Sequence, residues 1–210
     1  MLTIHQIINS PVPSNCFVLY DKALGGECII VDPGSKLDKE LFAFLEQQGI
    51  APQYIILTHE HFDHCWGVNG LVERYHIPII CSQECIEDIK SYKKNCSVFY
   101  DNAIAFTIES ETISIESLRL EIDFQGTTIQ FKNTPGHSDA SICFYVENFL
   151  FTGDTLIKDI KTVTKLCSGS KEKLEDSLSY LESLKGNGFV VYPGHGEVFL
   201  LDEYDLKKCL

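Results

Sequence analysis

The sequence predicts one mixed α/β domain that comprises residues 1–210. Hydrophobic residues make up 44% of the chain and charged residues 22%, which is typical of a folded globular protein. Strand-like apolar runs alternate with helix-like periodic segments in both halves of the sequence. A chain of 210 residues can bury one ordinary core, but it is too short for two large ones.

The first half contains short apolar runs that are bounded by turn residues, with amphipathic segments between them. Residues 37–48 have apolar side chains at helical spacing, and Gly49 directly after them is typical of a helix end. Ser82 is expected to cap a helix that extends to Tyr92. The expected strands are 2–8, 16–20, 28–31, 54–57 and 78–81, and the expected helices are 37–48, 67–75 and 82–92.

The second half is rich in strands and contains one long amphipathic helix. The expected strands are 112–115, 118–124, 127–133, 142–146, 149–152 and 189–192, with turns at Gln125-Gly126 and Glu147-Asn148. A helix is expected over 170–184, with an apolar stripe formed by Leu174, Leu178, Leu181 and Leu184. A short helix is expected over 201–209. Residues 90–107 show the weakest pattern, and we expect them to form a mobile or substrate-covering loop.

The composition argues against several classes of protein. Thirty acidic residues against seventeen basic ones give a formal charge of −13, which opposes binding to nucleic-acid phosphates. No apolar run approaches the roughly 20 residues that span a bilayer, and the N-terminal residues lack signal-peptide features. The nine cysteines form no CxxC pair, so we expect most of them to be reduced and buried. These features predict a cytoplasmic protein without nucleic-acid or membrane partners.

Five of the seven histidines lie in three short motifs, while His5 and His76 stand alone and are expected to be ordinary structural or surface histidines. The hexamer HEHFDH at 59–64 directly follows the buried strand expected at 54–57, where sites in α/β folds tend to open. His137 and His195 each follow a glycine near the end of a strand, and Asp154 does the same.

The hexamer is too rich in polar side chains to belong to a hydrophobic core, because each buried polar group needs a partner. Imidazole and carboxylate groups are ligands that Zn²⁺ and similar cations prefer. One tetrahedral ion does not readily use four groups from a single turn, whereas two ions about 3.5–4 Å apart can. The hexamer therefore predicts a metal site with two ions.

Five motifs, present in this order, resemble those of the metallo-β-lactamase fold hydrolases, in particular the small glyoxalase II-like branch. The motifs are Val31-Asp32-Pro33-Gly34, the hexamer 59–64, Thr134-Pro135-Gly136-His137, Phe151-Thr152-Gly153-Asp154-Thr155 and Pro193-Gly194-His195-Gly196. The resemblance covers nearly the whole chain. It implies a four-layer αββα sandwich, with the metals at one edge between two sheets.

The resemblance also implies a role for each motif residue. The expected ligands of the first metal are His59, His61 and His137, those of the second are Asp63, His64 and His195, and Asp154 bridges both. Asp32 is expected to orient the site without ligating, and it can also form an Asx turn. Glu60 and Phe62 alternate away from the ligands along the hexamer, so Glu60 is not expected to ligate and Phe62 is expected to have a packing role. The implied cofactors are two divalent ions, with zinc expected and iron or manganese as alternatives.

The expected activity is hydrolysis of a small thioester, ester or lactone by a hydroxide that bridges the two metals. One metal would polarise the substrate carbonyl. Asp63 and Asp154 are the candidate catalytic residues, since Asp63 can also hydrogen-bond the nucleophile and Asp154 lies between the ions. No separate general base is expected, and the partner is a small molecule.

Other functions stay open on the sequence alone. Persulfide dioxygenases share much of this motif set but use a single iron, and His59, His61 and His195 favour the dinuclear interpretation. The diiron flavoprotein branch normally has Glu in place of His61. A nuclease is opposed by the charge and by the lack of room for an RNA-binding module. An inactive binding module is opposed by the complete ligand set.

The chain departs from glyoxalase II in two respects. Only 15 residues follow His195, so the helical domain that contacts glutathione is not expected, and Arg74 and Arg119 are the only arginines. The segment after Asp154 instead carries three lysines, Lys158, Lys161 and Lys165. They either attract an anionic substrate or form a solvated face, which is the commoner role of lysine.

Overall fold

The computed structural model describes residues 2–36, 39–100 and 105–210. Two six-stranded sheets pack face to face, and helices cover the outer face of each sheet. The fold is therefore the four-layer αββα sandwich of the metallo-β-lactamase type that the motifs imply.

The first sheet has its strands in sequence order from one edge to the other. They are β1 (Leu2–Ile8), β2 (Asn15–Asp21), β3 (Glu27–Val31), β4 (Ala51–Ile56), β5 (Ile79–Cys81) and β6 (Thr112–Ser114). Strands β3 to β6 are parallel, so β3 and β4 end at the same edge of the sheet. The helices of this half are α1 (Lys39–Gln48), α2 (Phe62–Cys65), α3 (Val68–Tyr75), α4 (Gln83–Asp88) and α5 (Ser97–Tyr100).

The second sheet is mainly antiparallel and has the order β12-β11-β10-β9-β8-β7. Its strands are β7 (Glu121–Phe124), β8 (Thr127–Asn133), β9 (Ile142–Val146), β10 (Phe149–Gly153), β11 (Val190–Pro193) and β12 (Phe199–Leu200). Strands β10 and β11 are parallel, and β8 runs in the same direction because β9 is antiparallel to both β8 and β10. Helix α6 (Lys171–Ser183) lies outside this sheet, and two 3₁₀ helices follow at Leu201–Glu203 and Leu206–Cys209.

Strand β2 shows how the layers arise from the sequence. All seven of its residues are buried. Successive side chains of a strand point to opposite faces, so Cys16 and Val18 pack toward the helices while Phe17 and Leu19 pack between the sheets. A third apolar cluster joins the second sheet to the predicted stripe of α6, of which Leu174, Leu178 and Leu181 are buried.

Most predicted elements are present within a few residues of their expected bounds, but some differ. The helix expected to reach Tyr92 ends at Asp88, where the chain turns. After this turn, the backbone carbonyl of Asn95 accepts a hydrogen bond from the backbone N–H of Phe62. The helix expected over 201–209 is two 3₁₀ helices, since Tyr204 is extended and the Asp205 side chain caps the second. Strand β12 and helices α2 and α5 were not expected, and residues 37 and 38 of the first predicted helix lie outside the described residues.

Residues 90–107 form more structure than a loop, although residues 101–104 lie outside the described residues. Helix α5 lies in this segment, and the Asn95 side chain donates a hydrogen bond to the carbonyl oxygen of Phe106 over 2.8 Å. The ring of Phe62 stacks on Tyr100 with 4.8 Å between ring centroids, which confirms the packing role expected for Phe62. Helix α5 therefore packs against α2, the helix that carries part of the polar hexamer.

Most of the cysteines are reduced and buried, as the composition predicts. All nine cysteines are free, and seven are buried, while Cys96 is half-buried and Cys167 exposed. His5 stacks on Phe44, and His76 ends helix α3 in a left-handed conformation, so both have structural roles. None of the helices in the described part of the chain has the length and apolar character needed to cross a bilayer.

Candidate metal centre

All seven predicted ligands lie at one edge of the sandwich, where strands of both sheets end. The hexamer follows β4 and enters α2, and it supplies His59, His61, Asp63 and His64. The second sheet supplies the other three, since His137 follows β8, Asp154 follows β10 and His195 follows β11. The strands before these motifs all end at this edge of the sandwich, so motifs that are far apart in the sequence lie close together here.

The first group of ligands consists of the buried side chains of His59, His61 and His137. One donor atom from each lies within 4.8 Å of the other two. His61 Nδ1 and His137 Nε2 are 2.9 Å apart. This group contains the three residues that the resemblance implies for the first metal.

The second group consists of Asp63, His64 and His195, again with donor atoms within 4.8 Å. His64 Nε2 and His195 Nε2 are 3.4 Å apart, and His195 Nε2 lies 3.3 Å from Asp63 Oδ2. The implied set for the second metal is therefore also brought together.

The carboxylate of Asp154 lies between the two groups. Its Oδ2 is 3.6 Å from His137 Nε2 in the first group and 3.5 Å from His195 Nε2 in the second. Its Oδ1 is 3.5 Å from His64 Nε2. One carboxylate thus reaches both groups, which is the geometry required of a bridging ligand.

The hydrogen bonding of these residues fits a metal centre. Among the described residues, the buried atoms His59 Nε2 and Asp154 Oδ1 have no hydrogen-bond partner. Unpaired buried polar atoms are costly, and ring nitrogens 2.9–3.4 Å apart cannot all be satisfied by each other. Cations placed within the two groups would accept these lone pairs together, so the residues present suit two metal ions.

Four of the histidines hold their outer ring nitrogen with a hydrogen bond, which leaves the other nitrogen free to ligate. The four bonds, each 2.9–3.0 Å long, run from His59 Nδ1 to Thr58 Oγ1, from His64 Nδ1 to Asp32 Oδ2, from His137 Nδ1 to Val163 O and from His195 Nδ1 to Pro13 O. Such contacts fix the tautomer and the orientation of a ligating ring. The acceptors were not foreseen from the sequence, with the exception of Asp32.

Glu60 lies beside the outer nitrogen of the fifth histidine without hydrogen-bonding it. Its Oε1 is 3.7 Å from His61 Nε2, and neither atom has a hydrogen-bond partner among the described residues. Its Oε2 accepts a hydrogen bond from Ser138 Oγ over 2.8 Å, and burial raises the pKa of the carboxyl to about 7. Glu60 lies outside both ligand groups, but it does not point away from the site, as alternation along the hexamer had suggested.

Asp32 has the orienting position that was expected of it. Its Oδ1 accepts a hydrogen bond from the backbone N–H of Thr58, and its Oδ2 accepts from Thr58 Oγ1 and His64 Nδ1. Asp32, His59 and His64 form a third possible metal group. We interpret this group as the outer hydrogen-bond layer, because both carboxylate oxygens of Asp32 are already engaged. The same bonds replace the Asx turn that was considered.

The electrostatics of the centre favour positive charge on two rings, His64 and His195. At His195, burial lowers the pKa, but the hydrogen bond to Asp63 and the charge of Asp154 outweigh burial and raise it. Burial lowers the pKa of His59 well below its ordinary value and lowers that of His61 to about 3. Burial acts in the same direction on His64, but Asp63, Asp154 and Asp32 outweigh it and raise the pKa of His64 to about 10. Without metal, a protonated His64 therefore balances the carboxylates, and a binding cation has to displace that proton.

Gly194 allows the backbone of the β11 end to approach the centre closely. A Cβ at this position would lie 2.1 Å from Asp154 Oδ1 and 2.9 Å from His64 Cε1. No side chain fits there without moving a predicted ligand. The glycine before His195 is therefore required by space around the site.

The sequence profile of the Metallo-beta-lactamase superfamily matches residues 9–195. The chain belongs to this superfamily. The probable metallo-hydrolase YqgX of Bacillus subtilis is 28% identical over 203 residues, which are 95% of this chain and 93% of YqgX. This relative supports placement among the metal-dependent hydrolases of the superfamily.

Several solved structures of the superfamily resemble this fold. The B3 metallo-beta-lactamase BLEG-1 gives a TM-score of 0.84 at 26% identity, with 95% of this chain and 94% of that chain covered. TTHA1623, solved in a di-iron-bound form, gives 0.74 at 27% identity, with 94% of each chain covered. ETHE1 from Myxococcus xanthus gives 0.72 at 18% identity, with 99% and 88% covered, a likeness that concerns the fold alone.

Replacing Gly194 by Ala should reduce the metal content of the protein, because the added Cβ must displace Asp154. We expect the variant to retain less than about half of the wild-type metal after dialysis. Gly70→Ala is the matched control, since Gly70 lies in α3 and its Cβ would meet open space. Elemental analysis with circular dichroism of both variants measures the effect. Full metal content in folded Gly194→Ala protein would contradict the close approach.

Proposed function

We propose that this protein is a dinuclear metal-dependent hydrolase of a small thioester, ester or lactone. The observation that carries the proposal is the position of Asp154, whose carboxylate reaches both ligand groups. A single-metal site would need only one of these groups. The glyoxalase II-like motifs favour a thioester among the three substrate types.

In this proposal, His59, His61 and His137 hold one ion, Asp63, His64 and His195 hold the other, and Asp154 is shared. When bound, the two ions supply Lewis-acid activation of water and of the substrate carbonyl. The di-iron form of TTHA1623 supports the presence of two ions. We propose zinc, because nitrogen and carboxylate ligands suit it, and iron or manganese are alternatives.

The protein groups around the ions orient the reactants and receive protons. Burial alone would raise the pKa of Asp63, but His64 and His195 hold it below its ordinary range, so the carboxylate is ionised and able to accept a hydrogen bond from water. Asp32 and Thr58 keep the His59 and His64 rings in place. Asp63 and Asp154 are therefore the carboxylates that we assign to catalysis.

A persulfide dioxygenase with one iron is the second candidate function. The likeness to ETHE1 concerns the fold and does not favour this chemistry by itself. The second group of Asp63, His64 and His195 is complete, and this favours the dinuclear hydrolase. We further propose that the enzyme acts on a small molecule in the cytoplasm, without nucleic-acid or membrane partners.

The purified protein should contain close to two metal ions per chain, and it should hydrolyse at least one small thioester, ester or lactone. Dialysis against a chelator should abolish the activity, and added zinc should restore it. Elemental analysis and a panel of chromogenic substrates test both points. One tightly held iron per chain, together with oxygen uptake on a thiol persulfide, would favour the dioxygenase instead.

Asp154→Ala should lose more activity than Glu60→Ala. The first change removes the carboxylate shared by both groups, and we expect a loss of about 100-fold or more even at saturating zinc. The second removes the carboxylate beside His61, and we expect zinc affinity to fall about 10–100-fold while added zinc recovers most of the turnover. Glu60→Gln, which keeps an acceptor oxygen, should behave more like the wild type. Equal losses at saturating zinc would show that the roles are misassigned.

Lys161 is the lysine that we expect to influence anionic substrates. Lys158 is engaged with Glu197 over 2.9 Å, whereas Lys161 lines a cavity beside the metal centre. Lys161→Ala should raise KM about threefold to tenfold for anionic substrates and leave neutral ones unchanged. Lys158→Ala and Lys165→Ala are the controls in the same steady-state assay. We also expect KM for a glutathione thioester to lie well above the micromolar end of the usual range of about 1 μM–1 mM.

A further inference from the structure

A cavity of about 400 Å³ opens directly against the metal centre. Three predicted ligands, His137, Asp154 and His195, form its floor. Most of its wall is apolar and is formed by Pro13, Ile157, Ile160 and Val163. A substrate whose reacting carbonyl lies at the ligand groups can place a neighbouring group in this space.

Two of the wall residues are unusually exposed for apolar side chains. Ile160 is 46% exposed and Val163 is 50% exposed. Apolar surface in water is unfavourable, and a contiguous apolar area beside a site of polar groups is typical of a ligand pocket. The exposed faces of Ile160 and Val163 therefore indicate a surface that a ligand covers.

The wall is held in place by residues outside the cavity. The backbone N–H of Asp159 donates to Tyr204 Oη over 2.7 Å, and the backbone N–H of Thr162 donates to the carbonyl oxygen of Cys209 over 3.0 Å. Thr162 Oγ1 also donates to the carbonyl oxygen of Thr155. A wall fixed before binding loses less conformational freedom when a ligand arrives.

The charged residues of this segment do not change the apolar character of the wall. Lys158 forms its ion pair with Glu197, which is not among the lining residues. Lys161 is the lysine of the lining, and its Nζ lies 3.4 Å from the carbonyl oxygen of Leu210. The wall is therefore mainly apolar, and Lys161 is the charged wall residue that an anionic part of a substrate can meet.

We propose that this cavity binds an uncharged hydrocarbon group carried by the substrate next to the scissile bond. The group belongs either to the acyl part or to the thiol or alcohol part, and its contacts are Ile157, Ile160 and Val163. A volume of about 400 Å³ lies near the lower end of the usual range of about 300–1,000 Å³ for ligand pockets, which favours a short chain or a single ring. This inference rests on the proposed hydrolase function, because it identifies a part of that substrate.

Two series of thioesters test the inference on the zinc-loaded full chain. One series extends the acyl group from acetyl to octanoyl on a fixed thiol, and the other extends the thiol on a fixed acetyl group. We expect kcat/KM to rise about twofold to fourfold per methylene in at least one series, until the cavity is filled. The series that shows the rise identifies which part of the substrate the cavity holds. A flat profile in both series would overturn the inference.

Ile160→Ser and Leu166→Ser form a matched pair of variants. Both residues are 46% exposed and lie in the same segment, but only Ile160 is among the residues that line the cavity. In the responsive series, Ile160→Ser should lower the ratio of kcat/KM for the six-carbon and two-carbon substrates about fivefold, and Leu166→Ser should leave this ratio unchanged. Equal effects of the two variants would overturn the assignment.

A binding measurement separates this inference from the proposed function. Hexanoate should bind the zinc-loaded protein at least about tenfold more tightly than acetate by isothermal titration calorimetry, with a more negative heat-capacity change. Ile160→Ser should reduce this preference, and Leu166→Ser should not. If no thioester, ester or lactone is hydrolysed but hexanoate is preferred, the hydrolase proposal fails and the cavity assignment stands. Equal affinity for the two carboxylates would overturn the assignment.

Discussion

The buried carboxylate of Asp32 is the contact on which the geometry of the centre depends. Asp32 directly follows β3 and has a left-handed conformation with φ of 49°. Its carboxylate accepts hydrogen bonds from Thr58 and His64. Its backbone carbonyl accepts another from the side chain of Asn9. An unpartnered carboxylate at this depth would be costly, so the ends of β3 and β4 and helix α2 are held in one arrangement. This arrangement fixes the positions of the predicted ligands in the hexamer.

The sequence predicted those features that local patterns and strand direction determine. The bounds of β8 and the apolar stripe of α6 follow from side-chain periodicity, which needs no knowledge of distant residues. The sequence placed the hexamer, Asp154 and His195 at the ends of strands, whereas their grouping into two metal sets was what the family resemblance implied. The match to the Metallo-beta-lactamase superfamily confirmed the family and the fold, while the glyoxalase II-like branch stays a proposal.

Features that depend on tertiary contacts were not predictable from the sequence. Alternation suggested that Glu60 faces away from the ligands, but the turn into α2 places it beside His61. The break between the two 3₁₀ helices depends on an extended Tyr204, whose hydroxyl accepts from Asp159. In the segment after Asp154, the sequence indicated the lysines as candidate substrate contacts, whereas the wall of the cavity is mainly apolar.

The seven predicted ligands are divided between the two sheets, four from the first and three from the second. Ions held by both sets would cross-link the two halves of the sandwich, because each half supplies part of the ligands. A species that binds only the folded state raises the free energy of unfolding. The increase grows with the logarithm of the ratio between its free concentration and its dissociation constant. The supply of metal would thereby control how long the folded protein persists, in addition to whether it turns over substrate.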